Sequence, residues 1–324
     1  MASQAASSAA LELLRCGVGR ATFGLDLAHV RTIVRADQLR RRGGREDEGL
    51  VGHIAGANGE VPVYCPRGRL GETDAVPSSG QQIVVLHDQR ATWGLLVERV
   101  SQIQRVPANA LLPLPALGAD FARAPFRGVL QADRELLLVL DPARWGPAAD
   151  ACAPGPAAAS RPNTAFGSVL QPGGSRQLVL FSTSLPSQGQ RPLWFGLSIA
   201  QVQEVLEPLP WTSVPGVPRY VHGLIGWRDR PVAVLDLNER LGLPASRAGE
   251  AQRMLVVQAG TSGALLAFPV AAALRLLRLP VPHRARPELL SLEPSLVRGV
   301  VELMDGTLVI PDLDAFVRVS GAGQ

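Results

Sequence analysis

The 324-residue chain contains no lysine; all 32 of its basic residues are arginine. That absence excludes chemistry that needs an ε-amino group: a P-loop lysine on a phosphate, a Schiff base, a kinase-type strand lysine. Aromatic residues are scarce, at 5%. The three cysteines, Cys16, Cys65 and Cys152, are far apart and odd in number. They argue against a disulfide scaffold and for a reducing compartment. No apolar run approaches the ~18–20 residues that span a bilayer. The first ten residues lack the basic start and apolar core of a secretory signal. A cytoplasmic protein with no direct membrane insertion is expected.

Charge of one sign is also missing as a concentrated feature. The net charge is +4, with 17 Arg against 16 acids in residues 1–150 and 15 against 12 thereafter. Neither half is a strongly basic body of the kind that tracks nucleic acid. Trp93, Trp194, Trp211 and Trp227 lie in or beside apolar runs, so they are assigned to cores rather than to base stacking. No nucleic-acid partner is expected.

Catalytic motifs fail one by one. Gly17-Val18-Gly19 is a lone G-x-G without a following helix, and Gly260 to Ala264 ends in Ala where a nucleophile elbow needs Gly. His29, His53, His87, His222 and His283 are scattered and form no metal-ligand spacing. The chain is therefore expected to be no enzyme, with no cofactor, no metal and no catalytic residue.

What is present is a repeat. T-F-G-L-D-L-A-H-V-R-T-I-V at residues 22–34 aligns with W-F-G-L-S-I-A-Q-V-Q-E-V-L at 194–206, an offset of 172. Gly52, Ile54 and Arg69-Leu70-Gly71 align with Gly223, Ile225 and Arg240-Leu241-Gly242 at offset 171, as does 127–141 with 298–312. Three matches in one order at near-constant spacing mark a tandem duplication. Each unit opens on a hairpin, 13–18 with 20–27 and 177–182 with 192–199. Short β-rich runs follow at 83–86, 93–97, 128–130 and 136–140, then at 254–258, 264–269, 299–303 and 307–310. Many short strands with Gly and Pro turns suggest small barrels. Asp141 and Asp312 hold equivalent places after an apolar strand, where each is expected to cap the following turn.

Domain limits follow from composition. Residues 1–9 are expected to be a disordered tail, 10–146 the first unit, 147–175 an Ala/Pro/Gly linker, 176–319 the second unit and 320–324 a tail. Few contacts are expected across the linker. The charged run at 40–48 nearly cancels its own charge and is expected to be a solvated loop.

Residues 217–243 are the stretch around which the rest is arranged. Residues 221–227 form an apolar strand, Arg228-Asp229-Arg230-Pro231 a turn, 232–237 a buried strand, and 238–242 one helical turn stopped by glycine. This stretch resembles the central signature of CheW-like domains, the coupling modules of bacterial chemotaxis arrays. The positions that carry the likeness are Gly223, Ile225, Arg228, Val234, Asp236, Leu237, Leu241 and Gly242. Asp229 stands where the family usually has Gly, and Ala233 where it often has Pro.

The resemblance implies an all-β fold with short helices: two CheW-like units, each of two small five-stranded β-barrel subdomains around a shared apolar core. It implies a signal-transduction adaptor, with a CheA-type histidine kinase regulatory domain and chemoreceptor cytoplasmic tips as partners, at membrane-associated receptor arrays. A scaffold of a pilus-motility or polar-localisation pathway is the alternative. It also implies a pair between Glu204 and Arg228 in a partner-binding surface, with Leu197, Val202, Val205, Trp227 and Asp229 beside it. The first unit has Thr32 and Ala57 at the places of Glu204 and Arg228, and Cys65 at that of Asp236. Binding is therefore expected to reside in the second unit.

Overall fold

The computed structural model describes residues 10–146 and 177–317, apart from 20, 42–48, 58, 68–79, 89, 116, 118–120, 122–123, 133–134, 185–190, 247–252, 261, 272–273, 279–283 and 286–291. The two expected tails, the 147–175 linker and most of the charged run at 40–48 lie outside the described residues.

The first unit contains β1 (Ala10–Val18), β2 (Ala21–Asp26), β3 (Val30–Arg35), β4 (Leu50–Gly56), β5 (Gly59–Tyr64), β6 (Gln82–His87), β7 (Thr92–Val97), β8 (Arg99–Pro107), β9 (Leu111–Leu112), β10 (Phe126–Ala132), β11 (Glu135–Leu140) and the short helix α1 (Pro142–Trp145). The second contains β12 (Gln177–Phe181), β13 (Leu193–Ser198), β14 (Val202–Leu206), β15 (Val221–Trp227), β16 (Arg230–Leu235), α2 (Leu237–Arg240), β17 (Arg253–Gln258), β18 (Leu265–Val270), β19 (Arg275–Arg278), β20 (Arg284–Ala285), β21 (Val297–Leu303), β22 (Gly306–Pro311) and α3 (Leu313–Val317).

Topology repeats strand for strand. The first unit has sheets ordered β8-β1-β2-β11-β10-β9 and β3-β6-β7-β5-β4; the second has β19-β12-β13-β22-β21-β20 and β14-β17-β18-β16-β15. In the six-stranded sheet, β8 and β9 are the two end strands, and one 3₁₀ turn, Ala108–Ala110, joins them. Counted as one bent strand, they make a five-stranded barrel. The other sheet closes by a single bridge. Past β3, Arg40 exchanges backbone hydrogen bonds with His53 of β4 at 2.8 and 3.0 Å; in the second unit Thr212 and Leu224 do the same at 2.8 Å each.

That closure explains the first signature glycine. Gly52 and Gly223 have φ of 155° and 152°, and a Cβ on either would lie 2.4 or 2.3 Å from the carbonyl oxygen of the closing segment. Only glycine lets the backbones approach this closely in that conformation. The repeat therefore keeps glycine here even where the first unit has lost other signature residues.

Side chains on alternate faces of each strand enter different cores. On β11, Leu137 and Val139 fill the first unit's terminal-strand barrel, whereas Leu136, Leu138 and Leu140 belong to a large layer that also takes Val84, Leu86 and Trp93 from the other barrel. The second unit divides in the same way: Val232, Val234 and Met254 lie inside one barrel, while Leu235, Leu255 and Phe268 lie in the layer. The fold is all-β with short helices, two barrels to each unit.

Several expectations change. The turn at 228–231 contracts to two residues, Arg228 and Asp229, with φ of 46° and 58°. A two-residue hairpin with both residues left-handed matches strand twist, so Arg230 and Pro231 join β16, ahead of its pairing with β18 at Ala233. β8, R-V-S-Q-I-Q-R-V-P, was no expected strand; as an end strand it is half solvated and carries no apolar run. The two units also touch. Pro125 lies against Gly216, Gln131 against Gly226, and the large apolar layer is continuous between the units.

Candidate functional site

Seven of the eight signature positions serve the fold. Ile225 and Val234 fill a barrel, Leu237 and Leu241 are buried in the layer, and Gly223 permits closure. Asp236 is buried at the N-cap of α2, where its carboxylate accepts from the Glu239 N–H at 3.1 Å, the Ser246 N–H at 2.8 Å and the Ser246 hydroxyl at 3.1 Å. Gly242, with φ of 83°, ends that helix. Arg228 is the exception: its side chain is 67% exposed.

Arg228 reaches back across the barrel mouth. Its Nη2 donates to Glu204 Oε2 at 3.0 Å, and its guanidinium lies 4.6 Å from the centre of the Trp227 ring. The Trp227 indole Nε1–H donates to the same carboxylate oxygen at 2.9 Å. β14 therefore supplies the acid, and the tip of the β15–β16 hairpin supplies the indole and the guanidinium. Trp227 is nearly buried against the barrel interior and anchors the tip. Packing on one side and hydrogen bonding on the other hold the Arg228 guanidinium in one place at the surface.

The expected site residues divide. Glu204, Trp227 and Arg228 come together, and Asp229 is exposed in the hairpin turn beside them. Val205 is exposed on β14 and Val202 is half-buried. Leu197 does not join them. It sits on β13, in the other barrel, and is buried in the layer. Leu197 and Val205 stand on two strands in different barrels, separated by the 3₁₀ turn Ile199–Gln201. Leu197 is thus a core residue and not a contact residue.

The first unit lacks the whole cluster. Thr32 pairs with Val85 as Glu204 pairs with Val256, Gly56 occupies the place of Trp227, and Ala57 that of Arg228. Acid, indole and guanidinium are all absent from these places.

Two tryptophans assigned to cores behave otherwise. Trp93 is buried, but Trp211 is exposed and stacks on His222 with ring centres 5.2 Å apart. Trp194 is half-buried beneath the Arg275 guanidinium, 4.2 Å from its ring centre. Asp141 and Asp312 do cap: Asp141 accepts from the Ala143 N–H at 3.1 Å, and Asp312 from the Asp314 N–H at 3.1 Å. Burial pushes the Cys16 thiol up to about 12, so it is a core group and no nucleophile.

The CheW-like domain family matches residues 12–146 and again residues 187–320. A 92-residue stretch is 29% identical to the probable chemotaxis protein CheW of Rhizobium etli, over 28% of this chain and 59% of that protein. Another match, of 81 residues, is 31% identical to the chemotaxis protein CheW of Rhizobium meliloti, over 25% of this chain and 52% of that protein. The chain thus spans just over half the length of these curated relatives. Among solved structures, the scaffolding protein TtCheW of Thermoanaerobacter tengcongensis is similar at 18% identity with a TM-score of 0.37, covering 43% of this chain and 90% of that one. With both repeats matched across most of their length, the chain belongs to the CheW-like domain family and carries that domain twice in tandem.

Proposed function

We propose that this protein is a non-enzymatic adaptor of chemotaxis signalling, joining the cytoplasmic tips of chemoreceptors to the regulatory domain of a CheA-type histidine kinase. The reading is carried by one observation. Among the signature residues of the second unit, Arg228 is the one the fold does not consume, and Glu204 and Trp227 hold it at the surface. The relatives named for chemotaxis support that setting. The adaptor works by presenting preset surfaces, so no bond is made or broken on it.

The test is binding of the full chain to a purified receptor-tip fragment and to a kinase regulatory domain, by calorimetry. Measurable affinity for at least one supports the reading; none for either, with the chain folded, removes it. Labelled phosphate from ATP appearing on this chain alone would also count against an adaptor.

A further inference from the structure

The two units repeat strand for strand, so each strand has a counterpart. Registers fix the equivalences. Gly223 to Trp227 on β15 match Gly52 to Gly56 on β4, and the Gln131–Leu136 pair of β10 and β11 matches the Glu302–Thr307 pair of β21 and β22. The units meet through unlike members of these sets. β11 of the first unit comes within 8 Å of β15 of the second, Cα to Cα. A Cβ on Gly226 would stand 3.3 Å from the Gln131 side-chain amide, and one on Gly216 would stand 3.7 Å from Pro125. Leu136 is the cross-strand partner of Gln131 and shares its face. Leu224, two residues before Gly226 on a regular stretch of β15, shares the face of Gly226. Both leucines are buried in the apolar layer that runs from one unit into the other.

The other copies of these two faces are different. Where β15 has Leu224 and Gly226, β4 has half-buried His53 and exposed Ala55. Where the first unit's hairpin has Gln131 and Leu136, the second has Glu302, paired with Arg191 at 3.0 Å, and half-buried Thr307. Each face is thus apolar or bare in the copy that meets the other unit, and polar or filled in the copy that does not. A contact between unlike surfaces is heterologous. If both units carried both surfaces intact, chains would add end to end into rings or fibres. Repeating the contact between two copies would set Ala55, with the methyl that Gly226 omits, against Glu302, whose charge resists burial.

We infer that the β10–β11 face of the first unit and the β15 face of the second are a matched pair of docking surfaces, closed on each other within one chain, and that this closure withholds both from a second copy. The first unit is then an internal cap on the second. Joined units meet at an effective concentration of up to about millimolar, so the same hairpin face on another chain, at about micromolar concentration, competes poorly. The closed chain is a monomer, and parting the units turns it into a chain that captures another.

The experiment mixes full chains whose faces are spoiled one at a time, with the residues that the other unit holds at the same places. Gln131→Glu with Leu136→Thr spoils the first unit's face and leaves β15 intact. Leu224→His with Gly226→Ala does the reverse. Each variant alone should stay a monomer by light scattering but show a larger radius in small-angle X-ray scattering, because its units part. Mixed in equal amounts, the two should form a pair of twice the mass, with the intact hairpin face of one on the intact β15 face of the other. The parent chain mixed with either variant should stay monomeric. Melting curves establish that each variant is folded, and Gly226→Trp replaces the second variant if it is not. A mixture that keeps the mass of one chain, a variant whose units stay together, self-association of either variant alone, or a parent chain that pairs as readily as the variants overturns the inference.

Discussion

Trp227 donates its indole N–H to Glu204 at 2.9 Å, on the same carboxylate oxygen that receives Arg228. One acid thus holds a nearly buried ring and an exposed cation, and the two halves of the arrangement have different consequences. The ring fastens the hairpin tip to β14. The cation stays exposed at the surface.

Glu204→Ala should lower stability by about 1 kcal/mol, because it leaves the Trp227 N–H without its acceptor. Arg228→Ala should cost under about 0.5 kcal/mol, since an exposed pair contributes little. Partner binding should show the opposite emphasis for Arg228→Ala, with a loss of about thirtyfold from truncating a desolvated interface arginine. Arg31→Ala leaves the cluster untouched and should spare binding to it. Urea melts beside calorimetric titrations separate the two effects. Equal loss of stability from Glu204→Ala and Arg228→Ala would contradict the division of roles.

Gly223→Ala should destabilise the second unit by roughly 3 kcal/mol or more, since it combines a disfavoured φ with a Cβ driven into the Thr212 carbonyl. Gly52→Ala should do the same to the first unit against Arg40. Denaturant unfolding followed by tryptophan fluorescence would show it; a neutral result at either glycine would mean that the barrel closes in another way.

Cys16 should resist thiol reagents at pH 8 until the chain is denatured, while half-buried Cys65 reacts before it. Linkage gives a second readout. The folded thiol keeps its proton up to about 12, whereas the unfolded thiol loses it near 9.0. Above the unfolded value the unfolded state binds fewer protons, so this group's contribution falls as pH rises, by up to ~1.4 kcal/mol per pH unit. Comparing the pH dependence of unfolding with that of Cys16→Ala isolates the effect; parallel curves would contradict it.

The contacts of Pro125 with Gly216 and Gln131 with Gly226 should keep the units together without the covalent link. If a specific protease site is placed between residues 147 and 175 and cut, the two fragments should co-elute in gel filtration. Gly226→Trp should part them, because even a Cβ at that position would stand 3.3 Å from the Gln131 amide. Fragments that separate at once in the parent chain would show the contact to be too weak to matter.

The local patterns were legible because they are local. The repeat, the glycine-punctuated apolar runs and the stretch around 217–243 each state their period within ten residues or so. Period and turn chemistry then dictate strand, hairpin and cap. Asp141 and Asp312 could be read as caps for the same reason. The partnership of Glu204 with Arg228 was available from family likeness, but the role of Trp227 as a second donor to that acid was not. It depends on the hairpin tip folding over β14, 23 residues away in sequence.

Burial was the part that sequence could not assign, since it depends on what arrives from elsewhere in the chain. Leu197 and Val205 are both apolar and eight residues apart, yet one lies in the layer between barrels and the other is exposed on β14. Trp211 sits in an apolar context and still faces solvent on His222. β8 became a strand because β1 offers it a partner edge, not because its own residues demand one. The sequence by itself determined the duplication, the all-β class and the glycines that allow close approach, all properties of backbone geometry and short-range pattern. The tertiary structure decided which apolar residues are exposed, which signature residue remains at the surface and how the two units touch, because solvent is excluded only where distant strands pack together.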